Sequence, residues 1–158
     1  MKTLQFGIIG LGHFGKHHAR LLQEIKGVNL VAVVNKTGDV FEKNEVNLRD
    51  GIIKTLNSDE VINNKEIDCV VIATPPTTHH DLIVQSLRAG KHVFVEKPMV
   101  IGTVEAKAVE KELAKNKNLV FMVGFQYIYN DAIQYIKSIS ASLAQSNIYS
   151  EKIFIAGL

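Results

Sequence analysis

Polar and apolar positions follow two rhythms along this chain. Runs that are mostly apolar read as strands buried on both faces: Leu4 to Gly10 (LQFGIIG), Val28 to Asn35 (VNLVAVVN) and Ile67 to Thr74 (IDCVVIAT). Between them the apolar residues recur at helical spacing. Phe14, His18, Leu21, Leu22 and Ile25 form one such stripe. Leu82, Ile83 and Leu87 form another within Thr78 to Ala89, with Gly90 as its stop. Val104, Ala108, Val109 and Leu113 are expected to face inward from a helix over Thr103 to Lys117. KHVFVE and NLVFMVGF add two more strands, and GIIKTL a short one. SDEVIN is expected to start on Ser58 as its N-cap. GDVFEKNEVNLRD is polar and leaves room for a short helix.

Strands apolar on both faces and separated by helices predict a doubly wound α/β domain around a parallel sheet. It is expected to span residues 1–125. Residues 126–158 break the pattern. They carry an amphipathic helix from Asn130 to Ala144, with Ile133, Ile136, Ile139 and Leu143 on one stripe, and then a strand-like YSEKIFIAGL. This is expected to be the start of a second domain. Its open edge and apolar helix face predict a homo-oligomer formed through the C-terminal segment.

Composition narrows the functional classes. The 158 residues are 46% hydrophobic and 22% charged, with 18 basic and 16 acidic side chains giving a net charge of +2. That spread offers no basic stripe for nucleic acid. No apolar run approaches the ~20 residues that span a bilayer. The N-terminal apolar stretch is interrupted by Gly7 and Gly10, unlike a signal peptide. The one cysteine, Cys69, lies in an apolar run and reads as a core residue in a reducing compartment. The cytoplasm is the expected location.

The chemistry begins with GLGHFG, Gly10 to Gly15, spaced G-x-G-x-x-G after a strand and at the start of a helix. Gly10 permits a tight turn, Gly12 lets a pyrophosphate approach the backbone, and Gly15 lets the helix pack on the strand. His13 and Phe14 stand in the same loop, at the helix end whose free N–H groups attract phosphate. A dinucleotide is the expected ligand. The second strand ends on Asn35, followed by Lys36 and Thr37, where an acid would select NAD. Without that acid, and with Lys36 beside it, the site leans to NADP; the alternative is that Asn35 bonds the ribose of NAD.

Two further strand ends fall on the same rim. ATPPTTHH stops the third long strand at Pro75 and Pro76, with Thr77 or Thr78 able to cap the next helix. Its His79 either faces the crevice or serves the structure. His13, His17 and His18 on the first helix read as solvated polar residues, since two histidines without a third ligand make a poor metal site. HVFVEKPM ends another strand on Glu96, Lys97 and Pro98. A lysine there can reach a bound nicotinamide or hydrogen-bond a substrate hydroxyl; otherwise it is a surface lysine in a turn.

Taken together, GIIGLGHFGKHHARLL, VVIATPPTTHHDLIVQSLRAGKHVFVEKPM and MVGFQYIYNDAIQ resemble the Gfo/Idh/MocA oxidoreductases over the chain up to about Gln134. The resemblance implies an N-terminal Rossmann domain binding NAD or NADP, and a C-terminal α/β domain carrying the substrate site. It implies oxidation or reduction of a sugar, cyclitol or related alcohol. Gly10, Gly12 and Gly15 correspond to the phosphate loop, and Thr74, Pro75 and His79 to a cofactor-proximal segment. Glu96, Lys97 and Pro98 match the EKP motif, in which the lysine lies beside nicotinamide and substrate and is the candidate catalytic residue. GFQYIYN matches the segment joining the two domains, with Ile128 where arginine is frequent. The family's other catalytic residues lie in the second domain. The chain is therefore expected to be a truncated product or a stand-alone cofactor-binding module.

Overall fold

The computed structural model describes residues 2–42 and 46–145. Contacts within the chain divide it into Met1–Gly124 and Phe125–Leu158. The first unit is a six-stranded sheet in the order β3-β2-β1-β4-β5-β6. The strands are β1 (Leu4–Ile9), β2 (Val28–Val34), β3 (Ile53–Thr55), β4 (Cys69–Ile72), β5 (His92–Val95) and β6 (Phe121–Val123). Every neighbouring pair is parallel. The helices are α1 (His13–Glu24), α2 (Asp39–Glu42), α3 (Ser58–Ile62), α4 (His79–Arg88) and α5 (Thr103–Lys115).

Alternation along each strand sends neighbours to opposite faces. Ile8, Val33 and Val71 pack with Ala19 and Leu22 of α1. Ile9, Val34, Ile72 and Val95 pack with Val61 of α3, Leu82, Ile83 and Leu87 of α4, and Val109 of α5. Both faces are thus covered, which is why the strands read as continuous apolar runs. Strand order reverses between β1 and β4, so the chain leaves these two strands in opposite directions and opens a crevice at their carboxyl ends.

Several local expectations are corrected. Ser58 does not cap α3; Asn57 does, its Oδ1 accepting from the Asp59 N–H at 2.9 Å. Val104 does not face inward but is 80% exposed, while Val109 is buried. The start of α5 is instead secured by Glu105, whose carboxylate accepts from the N–H groups of Ile101 and Gly102. Gly90 ends the α4 segment with φ +74°, as its position predicts.

In the second unit a short 3₁₀ turn (Gln126–Tyr129) precedes α6 (Asp131–Gln145). Asn130 caps α6, its Oδ1 accepting from the Ala132 N–H at 3.0 Å. Tyr135, Ile136 and Ile139 of α6 are exposed. The side chain of Leu143 and the strand expected in YSEKIFIAGL lie outside the described residues. No helix among the described residues is long and apolar enough to cross a membrane.

Candidate cofactor site

The strand exits are held level by main-chain bonds that run one residue past the sheet. Gly10 N–H donates to Val34 C=O (2.8 Å), Ala73 N–H to Ile9 C=O (2.9 Å), Glu96 N–H to Ile72 C=O (2.9 Å) and Asn35 N–H to Thr55 C=O (3.2 Å). Gly10, Asn35, Ala73 and Glu96 therefore share one rim. A cleft of about 780 Å³ opens between the β1, β2 and β4 exits, lined by Gly10, Gly12, Asn35, Lys36, Thr74 and Pro75 among others. That is a ligand-sized volume.

The glycine loop divides its duties by position. Gly10 has φ +97°, and a Cβ there would stand 2.7 Å from the Ala73 carbonyl oxygen. A Cβ on Gly15 would run into the Gly10 carbonyl, so this glycine is what lets α1 lie on β1. A Cβ on Gly12 meets nothing within 4 Å and would fill the open cradle above the loop. No acidic residue stands in the first turn of α1. The first-turn N–H groups, including those of His13, Phe14 and Gly15, lack intrahelical acceptors and point their partial positive charge at that cradle. These features fit a pyrophosphate.

Asn35 is committed within this frame. Its Oδ1 accepts from the Leu11 N–H (3.2 Å), and its Nδ2 donates to the Thr37 carbonyl (2.8 Å). It ties the glycine loop to the turn after β2. That turn also holds Asp39, whose carboxylate accepts from the Thr37 hydroxyl. The sequence reading found no acid at this strand end; folding brings one into the turn from four residues on. Lys36 is exposed and lines the cleft.

Beyond the glycine loop, Pro76–Thr78 form a 3₁₀ turn. Neither Thr77 nor Thr78 caps α4 through its side chain; Thr78 Oγ1 donates to the Pro75 carbonyl at 2.8 Å instead. His79 does not face the crevice. It is fully buried, with Nδ1 2.9 Å from the Pro98 carbonyl and Nε2 2.9 Å from the Thr74 carbonyl.

At the β5 exit Lys97 is exposed, its Nζ 5.3 Å from the centroid of the Phe14 ring on α1. An ammonium over a ring face is attracted by its quadrupole. The Lys97–Pro98 peptide is cis. Glu96 turns toward the same helix. Its Oε1 lies 2.8 Å from His18 Nε2, and its Oε2 accepts from the Lys97 N–H at 3.3 Å. His18 is therefore not a solvated residue: its ring also packs edge-on against Phe94. His13 and His17 stay exposed, ring against ring at 5.0 Å. No group of three metal-ligating side chains occurs among the described residues.

Sequence reasoning missed Leu56, Ser58 and Asp81, which also line the cleft. Leu56 is 60% exposed and directly follows β3, so its place just past a strand's carboxyl end was the available signal. Elsewhere, burial pushes the Cys69 thiol up to about 11, and a hydrogen bond from Lys2 holds the Asp68 carboxyl below its ordinary range.

Strand order, glycine loop and rim together define a dinucleotide-binding α/β domain of the Rossmann type. Residues 4–125 match the Gfo/Idh/MocA oxidoreductases, described as an oxidoreductase family with an NAD-binding Rossmann fold, and the chain belongs to that family. It is 34% identical over 129 residues to scyllo-inositol 2-dehydrogenase (NAD(+)) of Bacillus subtilis, covering 79% of this chain and 36% of that protein. It is 32% identical over 155 residues to glucose-6-phosphate 3-dehydrogenase of the same organism, covering 94% and 41%. The crystal structure of scyllo-inositol dehydrogenase from Lactobacillus casei with bound NAD(H) and scyllo-inositol superposes with a TM-score of 0.79 at 29% identity, covering 89% of this chain and 42% of that one. The chain thus spans less than half the length of these relatives.

Proposed function

We propose that this chain is the cofactor half of a dehydrogenase acting on a cyclitol or a sugar at an alcohol carbon, with Lys97 as its contribution to the reacting centre. The observation that carries this is the shared rim. Lys97 stands at the β5 exit and bends over the first turn of α1, next to the glycine loop that cradles the pyrophosphate. When bound, the nicotinamide supplies or accepts the hydride. Lys97 offers N–H donors to the oxygen of the carbon being oxidised or reduced, orienting it. Gly12 leaves room for the pyrophosphate, and Asn35 keeps the glycine loop against the turn after β2. The substrate class is supported by the relatives, two of which act on inositols or sugar phosphates by name.

Lys36 gives the phosphorylated cofactor the advantage, while the neutral Asn35 lets NAD bind as well. Asp39 in the same turn opposes a 2′-phosphate, so the preference is modest. The exposed Tyr135, Ile136 and Ile139 support pairing of α6 with a second copy, read out as a dimer in light scattering. The lone buried thiol suits the reducing cytoplasm.

Calorimetric titration of the chain with NADPH and with NADH is the direct test. Both bind, NADPH the tighter, and Lys36→Ala reverses the order. Absence of binding with either overturns the cofactor role; tighter NADH binding in the unsubstituted chain overturns the role of Lys36. Wherever the protein oxidises an inositol, Lys97→Ala lowers kcat by about a hundredfold or more with little change in cofactor affinity. Undiminished turnover removes Lys97 from the reacting centre.

A further inference from the structure

His79 opens α4, yet its ring is 0% exposed. Its two nitrogens meet two main-chain carbonyls, Pro98 through Nδ1 and Thr74 through Nε2, each at 2.9 Å. A carbonyl oxygen only accepts, so any bond formed here runs from the ring to the main chain. The two acceptors lie on the turns after β4 and β5. Ladder pairing between those strands ends with the bond from Glu96 N–H to Ile72 C=O. Past that point, among the described residues, His79 is the side chain whose ring nitrogens lie within hydrogen-bond distance of both turns; a neutral ring carries one N–H and donates to one of the two carbonyls, while the other nitrogen packs against its partner. Thr78 adds a second attachment on one side only, through the Pro75 carbonyl and Thr74 Oγ1.

We propose that His79 is a positioning residue. It holds the Thr74–Pro75 turn against the Glu96–Lys97–Pro98 turn and so shapes the nicotinamide half of the cleft. This role rests on the dinucleotide site proposed above. Thr74 lines the cleft, and Pro98 follows Lys97 directly, so the ring touches neither ligand nor lysine but fixes the backbone under both. The adenosine half lies elsewhere, at the glycine loop and the β2 exit. Loss of the ring therefore affects one half of a bound dinucleotide and spares the other.

The test titrates the whole chain with NADH and with ADP, which probes the adenosine half alone. His79→Leu weakens NADH binding by about tenfold, the effect of one lost hydrogen bond of ordinary strength, and leaves ADP affinity unchanged. His79→Gln, which keeps an amide donor, recovers part of the loss. Equal loss for both nucleotides, or full NADH affinity in folded His79→Leu, overturns the proposal. Should His79→Leu fail to fold, the unsubstituted chain decides by NMR. A His79 ring N–H protected from exchange that shifts with NADH and not with ADP supports the role. An unprotected ring, or equal shifts with both, overturns it. An unsubstituted chain that binds neither nucleotide overturns the dinucleotide site itself and this role with it; intact binding with indifferent variants overturns His79 alone.

Discussion

His18 and Glu96 meet at 2.8 Å, joining α1 to the exit of β5 across 78 positions of sequence. Their side chains are 23% and 12% exposed, so water competes weakly for the contact. One turn earlier on the same helix, Phe14 lies under the Lys97 ammonium. One face of α1 thus meets two consecutive residues of the EKP turn.

Removing that tie costs stability. Glu96→Ala is expected to lower the unfolding free energy by about 1.5–3 kcal/mol, the range for a hydrogen bond involving a charged group. Glu96→Gln costs less, because its amide still reaches the ring. Urea denaturation measures both, and an unchanged midpoint for Glu96→Ala shows that the contact carries no energy.

Two glycines of one loop separate folding from binding. Gly12→Ala places its Cβ in open space, so the melting temperature stays put while NADH affinity falls. Gly15→Ala drives a Cβ into the Gly10 carbonyl and forces α1 away from the sheet. Overpacking of that kind costs about 1–3 kcal/mol. Thermal melts and titrations on the two variants are expected to give opposite patterns.

Asp68 makes stability depend on acid. The hydrogen bond from Lys2 and that from the Gln5 N–H both favour its charged form, which holds the folded pKa below 3.8. The folded chain therefore releases this proton more readily than the unfolded one. The resulting stabilisation is complete above the unfolded value and disappears as pH falls through the folded one. Asp68→Asn is expected to lower the melting temperature at pH 6 and to match the parent chain in strong acid. Lys2 is 75% exposed, so salt weakens its share.

Cys69 is expected to be inert. Burial raises its pKa to about 11, which leaves almost no thiolate at pH 8. A disulfide reagent such as dithionitrobenzoate reacts fully in denaturant and negligibly with the folded chain. Rapid reaction of the folded chain would mean that β4 opens readily.

Much of the architecture was legible because its causes are local. Val33 and Val34 are both apolar because one faces α1 and the other faces α3 to α5, and that double burial is written in the run itself. Boundaries were less legible where two candidate caps adjoin, as Asn57 and Ser58 do; only backbone geometry decides which oxygen reaches the Asp59 N–H. Val104 fell on the apolar stripe of α5, yet α5 turns it to solvent and buries part of that stripe only.

By itself the sequence determined the alternating elements, the parallel sheet they imply, and the glycine loop with the EKP turn at strand ends. Each depends on periodicity or on the conformational needs of glycine and proline, which act over a few residues. The tertiary structure decided the partners. It made His79, for which crevice and structural roles both stood open, a buried tie, turned His18 from a solvated residue into the partner of Glu96, and set Asn35 as the brace of the glycine loop. Which donor meets which acceptor across 19 to 78 positions depends on how the helices seat on the sheet, and no local pattern encodes that distance.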